Sequence, residues 1–131
     1  MFFLIDTDTL IYRLKNVGNV NDNFVRNQNS VMQISLVTYG ELVFGAERSA
    51  NREKNMKTVH AIKAIFPILN IDMKTMTCFG RLKATLRKKG KNVDDLDLLI
   101  ASTAIINNLT LVTHNTEHFE CVPGLSMTDW F

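Results

Sequence analysis

The first twelve residues, Met1-Phe-Phe-Leu-Ile-Asp-Thr-Asp-Thr-Leu-Ile-Tyr12, decide the fold of this chain. The apolar run before Asp6 does not alternate with polar residues, which predicts a short strand buried on both faces, as in a parallel sheet. Thr7, Asp8 and Thr9 are residue types that favour a helix N-terminus, and an apolar stripe follows them. Asp6 therefore lies where a buried strand ends and a helix begins, the edge at which open α/β sheets bind ligands.

A carboxylate at this position has two interpretations. It can serve only as a helix cap, because Asp is among the best N-cap residues. It can also face a cation or a dipole, because burying an unpaired carboxylate is costly. The positions of the other acids bear on this choice.

Length and composition indicate one soluble globular domain, residues 1–131, with 46% hydrophobic and 21% charged residues. No apolar run approaches the ~20 residues of a membrane span. No basic segment precedes the first apolar run, so we expect neither a signal peptide nor a membrane location. The two cysteines, Cys78 and Cys121, form no CxxC pair, which favours reduced thiols in the cytoplasm. The net charge of +2 permits a polyanionic partner without requiring one.

Strand-like and helix-like segments alternate along the chain, which favours an α/β fold with a mainly parallel sheet. Further strands are predicted at residues 31–35, 67–71 and 109–113, with a short edge strand in the tail. The polar stretch 15–23 is predicted to be a loop. The next helices are predicted at 36–48, 50–66, 74–89 and 96–106.

Two details of the helices carry specific expectations. Asn21 or Asp22 is expected to cap a short helix that carries Phe24. Gly40 and Gly45 lower helix propensity in the segment that contains them, so we expect a close contact with another helix there.

Acidic residues interrupt three of the predicted apolar segments. Asp6 ends the first strand, Glu41 lies about a turn into the helix after the second, and Asp97 lies near the start of the most hydrophobic helix. Asn115, with Glu117 behind it, follows the fourth strand. Strand ends and the following helix starts share one edge of a parallel sheet, so these oxygens should meet there. Carboxylates without Cys or His suit Mg²⁺ or Mn²⁺, and such a site fits phosphodiester hydrolysis.

Short motifs surround these acids and close the chain. They are Leu4-Ile-Asp-Thr-Asp-Thr-Leu-Ile11, Ser35-Leu-Val-Thr-Tyr-Gly-Glu-Leu42 with Gly45-Ala-Glu-Arg-Ser49, Asp97-Leu-Leu-Ile-Ala101, Leu111-Val-Thr-His-Asn115, and Phe119-Glu-Cys-Val-Pro-Gly-Leu125 with Asp129-Trp130. In this order they resemble the motifs of the PIN-domain ribonucleases and, more narrowly, those of the VapC toxins of bacterial type II toxin–antitoxin pairs. The resemblance covers essentially the whole chain.

The resemblance implies a three-layer α/β/α sandwich and a metal-dependent endoribonuclease that acts as a toxin. Asp6, Glu41 and Asp97 match the family's three acidic positions, and Asp6 and Asp97 match those usually assigned to Mg²⁺. Asn115 falls where many PIN domains have a fourth Asp, and His118 stands where a Glu often precedes the closing Phe. The supporting residues expected at the site are Thr7, Asp8, Thr113 and Glu117.

The resemblance also implies partners. The expected substrate is structured RNA, with initiator tRNA as the specific expectation from similarity. The expected inhibitor is a small VapB-type antitoxin whose C-terminal segment crosses the helices lining the cleft and brings an Arg or Lys to Asp6 and Asp97. A homodimer and a toxin–antitoxin hetero-oligomer are expected, with operator DNA contacted only through the antitoxin.

Two other functions remain alternatives at this point. A phosphoacceptor signalling domain also gathers acids at strand ends, but it needs an Asp after a central strand and a Lys after a late one. Here Asp72 follows the third strand, and the fourth ends in Thr113-His114-Asn115 without such a Lys. An inactive PIN fold that only binds is the second alternative, and the presence of all three acids argues against it.

A basic cluster near the end of one helix has two interpretations. Cations there complement the negative end of the helix dipole. They also suit a track for RNA phosphates beside the acidic cleft. The cluster consists of Lys83, Arg87, Lys88, Lys89 and Lys91.

Overall fold

The central strand of the sheet is the apolar segment that opens the chain. The structure is a computed structural model that describes residues 1–131. It pairs in parallel with one neighbour on each side, and each neighbour pairs in parallel with an edge strand. The sheet is thus parallel throughout, in the order β3-β2-β1-β4-β5. The strands are β1 (Phe2–Ile5), β2 (Val31–Ser35), β3 (Ile68–Leu69), β4 (Thr110–Val112) and β5 (Met127–Thr128).

Helices cover both faces of this sheet because alternate side chains of β1 enter different cores. Phe3 and Ile5 pack with α1 to α4, whereas Leu4 packs with α5 and α6. The predicted three-layer α/β/α sandwich is confirmed. The helices are α1 (Thr7–Lys15), α2 (Val20–Arg26), α3 (Leu36–Glu47), α4 (Arg52–Ile65), α5 (Met73–Lys88), α6 (Asp95–Ile106) and α7 (Thr116–Phe119).

The structure differs from the sequence predictions at the weakest local signals. Helix α2 begins at Val20, inside the predicted loop, so Asn21 and Asp22 lie within the helix and the expected cap is wrong. Its N-cap, Asn19, makes no side-chain hydrogen bond. The strand predicted at 67–71 is observed as only two residues, at an edge of the sheet. The short helix α7 was not predicted.

The expected close helix contact at Gly40 and Gly45 is also wrong. A Cβ atom at either position would meet no atom within 4 Å, and both residues lie on the exposed side of α3. Phe44, between them, is 64% exposed. This side of α3 is therefore uncovered, and Phe44 is the exposed apolar residue between the two glycines. None of the helices combines the length and the apolar character that a membrane-spanning segment requires.

Candidate active site

Asp6 lies at the junction of β1 and α1, with 6% of its surface exposed. Its backbone N–H donates to the Val112 carbonyl at 2.9 Å, which ties the junction to the end of β4. The side chain caps α1, because Oδ1 accepts from the Thr7 N–H at 2.8 Å. Capping uses only Oδ1, so the role of a helix cap does not explain the position of the second carboxylate oxygen, Oδ2.

Thr113 holds the other oxygen of Asp6. It follows β4 directly and is fully buried. Its Oγ1 donates to Asp6 Oδ2 at 2.8 Å and accepts from the Asn115 N–H at 3.0 Å. One hydroxyl therefore connects the buried acid to the turn that carries Asn115.

Asp8 binds the same turn from the other side. Its Oδ2 accepts from the His114 N–H at 3.1 Å. The His114 ring is fixed in turn, since Nδ1 lies 2.9 Å from Asp129 Oδ2 and the ring stacks on Phe131 at a centroid distance of 4.1 Å. These contacts hold a second carboxylate close to Asp6.

Glu41 reaches the site from the first turns of α3. Its Oε1 accepts from Thr7 Oγ1 at 2.7 Å, and Thr7 Oγ1 also lies 3.1 Å from Thr38 Oγ1. The buried Ser35 caps α3 by accepting from the Thr38 N–H at 3.0 Å. Hydroxyl groups at the ends of β1 and β2 thus position Glu41 beside the first helix.

Asp97 lies in the first turn of α6, with 23% of its side chain exposed. His118 Nδ1 is 3.7 Å from Asp97 Oδ2, an electrostatic contact longer than a hydrogen bond. Both face a cavity of about 510 Å³ that Asn115 and Glu117 also line. The Asn115 side chain makes no capping hydrogen bond to α7, so its amide is uncommitted.

Burial is the main reason that the pKa of Asp6 rises from 3.8 to about 7. The charge of Asp8 and, less strongly, that of Asp97 raise this pKa further, while hydrogen bonds from Thr113 and Thr7 lower it. The pKa of Asp97 is also raised, first by burial and then by Asp94, against the contact with His118. Asp6 forms no ion pair with a basic side chain. The site therefore favours a cation.

The donor set fits Mg²⁺ or Mn²⁺ in its chemistry, because the polar atoms are carboxylate, amide and hydroxyl oxygens. No three His, Cys, Asp or Glu side chains lie close enough together to enclose an ion by themselves. Mg²⁺ commonly keeps several waters and takes one or two carboxylates, so it does not need such an enclosure. The chemistry of the residues present therefore suits a hydrated divalent ion.

The structure divides the predicted site residues into two adjoining groups. One is a hydrogen-bonded group around Asp6, and the other lines the cavity beside Asp97. Sequence reasoning missed the buried hydroxyls of Ser35 and Thr38, although a Ser at the end of an apolar strand is a usable signal. The first group contains Asp6, Thr7, Asp8, Glu41 and Thr113, and the second contains Asp97, Asn115 and Glu117.

The structure also bears on the phosphoacceptor alternative. Asp72 follows the edge strand β3 rather than a central strand. Its carboxylate caps α5, accepting from the Thr75 N–H at 2.9 Å and from Thr75 Oγ1 at 2.8 Å. An acid held in this way is unsuited to accepting a phosphoryl group.

Comparison with known proteins identifies a family and several relatives. The model of the PIN domain matches residues 3–125. A tRNA(fMet)-specific endonuclease VapC of Shigella flexneri is 36% identical over 129 residues, covering 98% of this chain and 97% of the relative. The ribonuclease VapC2 of Rickettsia felis is 30% identical, covering 99% of this chain and 98% of its own.

Solved structures agree with these sequence relationships. A crystal structure of VapBC2 from Rickettsia felis, bound to a DNA fragment from its promoter, superposes with a TM-score of 0.92 at 29% identity, covering all of both chains. A DNA-bound VapBC from Salmonella typhimurium also gives a TM-score of 0.92, at 33% identity, and covers 100% of this chain and 99% of that one.

Proposed function

This chain belongs to the PIN domain family and, within it, to the VapC ribonuclease toxins, and on this premise we propose that it is a divalent-metal-dependent endoribonuclease acting on structured RNA. The observation that carries the proposal is the uncompensated acidic site around Asp6. Asp6 is buried at the end of β1 with its pKa near neutrality, Glu41 is hydrogen-bonded to the adjacent Thr7, and the charge of Asp97 raises the pKa of Asp6. We also propose that the chain acts in the cytoplasm, where its RNA substrate would be found.

The residues take distinct roles in this proposal. Mg²⁺ or Mn²⁺, when bound, lowers the pKa of a coordinated water and stabilises negative charge on the phosphoryl oxygens. Asp6 and Asp97 would hold the ion. Glu41, fixed by its hydrogen bond from Thr7, orients the attacking water. Asn115 offers its uncommitted amide to the same water shell or to a phosphate oxygen.

We propose initiator tRNA as the target because the Shigella flexneri relative carries that specificity in its name. The test maps cleavage sites in total RNA after induced expression of the chain. We expect a small number of discrete cuts in structured RNA, including initiator tRNA. An Asp97→Asn variant should give none of these cuts, and Glu120→Gln, an exposed acid outside the site, should give all of them. An unchanged RNA profile with the native chain would refute the ribonuclease proposal.

We also propose a VapB-type antitoxin as the partner, in a hetero-oligomer that reaches operator DNA only through the antitoxin. The support is a groove of about 380 Å³ between α1, α3 and α4 that carries both apolar residues and Glu41. An antitoxin segment in this groove would end beside the acids. Arg is suited to that position because it remains charged and binds carboxylates through two donors. The apolar lining includes Ile11, Leu14, Leu42, Val59 and Ile62.

A further inference from the structure

The segment that joins α5 to α6 carries a net positive charge larger than that of the whole chain. Residues 83–95 contain five basic and two acidic side chains, a net charge of +3. The whole chain has a net charge of +2, so the remainder is slightly negative. The segment is therefore a site of local positive charge that attracts a polyanion.

Resting on the proposed ribonuclease function, we propose that the RNA backbone flanking the scissile phosphate lies along this surface, with Arg87 and Lys91 contacting its phosphates. We name it the α5–α6 basic surface and define it by Lys83, Arg87, Lys91 and Asn92, which line one cavity of about 380 Å³. RNA backbone carries one negative charge per phosphate and fits a concave basic surface of this kind.

The α5–α6 basic surface is continuous with the catalytic cleft. Its cavity and the cavity beside Asp97 share the wall formed by residues 91–94. Lys91 and Asn92 line both. An RNA strand with a phosphate near Asp97 therefore passes Lys91 first and reaches Arg87 next.

One of the two acidic residues on this surface is paired with a base, and the other caps a helix. Asp95 forms an ion pair with Lys83 at 2.9 Å, and Asp94 caps α6 by accepting from the Leu96 N–H at 3.2 Å. Arg87 and Lys91 are exposed and form no ion pair within the chain. Their charges are available to a partner.

The helix dipole explains only part of the cluster. It accounts for cations in the last turn of α5, which ends at Lys88. Lys91 lies beyond that end, after Gly90 in the left-handed conformation at φ +68°. Its N–H donates to the Leu86 carbonyl at 2.8 Å, which turns the loop toward the cleft. The position of Lys91 thus favours phosphate binding over dipole compensation.

The chain contains its own matched control. Lys88 and Lys89 are exposed and carry the same charge as Arg87 and Lys91, but neither lines either cavity. The double variant R87A/K91A therefore removes two charges from the proposed track, and K88A/K89A removes two charges from beside it. A third double variant, R87K/K91R, keeps both charges in place.

The test measures binding of a fluorescein-labelled single-stranded RNA of mixed sequence by anisotropy, in EDTA to prevent cleavage, across a series of salt concentrations. Each single-strand phosphate contact contributes about 0.7 to the slope of log affinity against log salt. R87A/K91A should therefore lower the magnitude of this slope by about 1.4. Between 1 M and 0.1 M salt, the affinity of R87A/K91A should then rise roughly 25-fold less than the affinity of the native chain. K88A/K89A and R87K/K91R should keep the native slope.

Cleavage assays separate failure of this inference from failure of the proposed function. If the native chain cleaves RNA and R87A/K91A behaves like K88A/K89A, the attraction is diffuse and the assigned track is wrong. If R87A/K91A raises KM at unchanged kcat while K88A/K89A does not, the track is supported. If the native chain neither binds nor cleaves RNA, the ribonuclease function fails and this surface fails with it.

Discussion

Replacing Asp6 with Asn should stabilise the metal-free protein, and the gain should depend on pH. The pKa of Asp6 is raised from 3.8 to about 7, mainly by burial, so the folded chain holds a proton that the unfolded chain has released. At about 1.4 kcal/mol per pKa unit, this difference costs the folded state roughly 4 kcal/mol above neutral pH. Below about pH 4, Asp6 is protonated in both the folded and the unfolded chain, and the folded state has its full stability. This stability is lost progressively as the pH rises from about 4 to about 7.

Asn at this position avoids the charge and keeps the local contacts. Its carbonyl accepts from the Thr7 N–H, and its amide donates to Thr113 Oγ1, which now acts as the acceptor. The free energy of unfolding of Asp6→Asn minus that of the native chain should therefore grow by roughly 2–3 kcal/mol between pH 5 and pH 8.

Urea unfolding in EDTA at pH 5, 6.5 and 8 measures this difference, and Glu120→Gln serves as an exposed acid-to-amide control. At pH 8, added Mg²⁺ should stabilise the native chain more than Asp6→Asn, because a ligand stabilises the state that binds it. A difference that stays constant from pH 5 to pH 8, or an Asp6→Asn variant that is less stable at pH 8, would refute the buried-charge reasoning.

Three further expectations concern Thr113, the exposed apolar surface and the antitoxin complex. Thr113→Val removes the donor to Asp6 and leaves the Asn115 N–H without its acceptor. The free energy of unfolding in urea should therefore fall by about 1–3 kcal/mol, and cleavage should slow. The control is Thr85→Val, which should show neither effect because the native Thr85 hydroxyl makes no hydrogen bond. The exposed Phe44 and the other uncovered apolar residues predict a homodimer at micromolar concentration, and light scattering that finds a monomer without antitoxin would contradict this. In the antitoxin complex, changing the antitoxin cation nearest Asp6 to Ala should restore much nuclease activity while the two chains copurify; a complex that stays fully inhibited would indicate blocked RNA access instead.

The sequence predicted those parts of the fold that local patterns determine. The apolar run of β1 is observed as a strand because burial on both faces of a parallel sheet favours an uninterrupted apolar segment. The segment Val31–Ser35 is also observed as a strand. Helix α2 was misplaced because its start lacks a side-chain cap. The turn before it is held instead by the end of the chain, where the Asn19 N–H donates to the Phe131 carbonyl at 2.7 Å. A contact between residues so distant in sequence has no local signature.

In the candidate site, too, the features with a local sequence pattern were predicted and the contacts between distant residues were not. The positions of Asp6, Glu41 and Asp97 at strand ends or helix starts followed from the sequence pattern and the parallel topology. The role of Thr113 as a bridge between Asp6 and Asn115 did not, because it depends on side-chain geometry across 107 positions of sequence. The contact of His118 with Asp97 likewise depends on α7, a helix too short to show a periodic pattern.

The most direct test of the central claim is RNA cleavage by the purified chain, freed of metal with EDTA and then supplied with Mg²⁺ or Mn²⁺. We expect no cleavage in EDTA, recovery of discrete cuts when the ion is restored, and no recovery for Asp6→Asn or Asp97→Asn, although both variants remain folded. Cleavage that persists in EDTA, or an Asp6→Asn variant that cuts as fast as the native chain after Mg²⁺ is restored, would contradict the assignment of this acidic edge as a metal-dependent ribonuclease site.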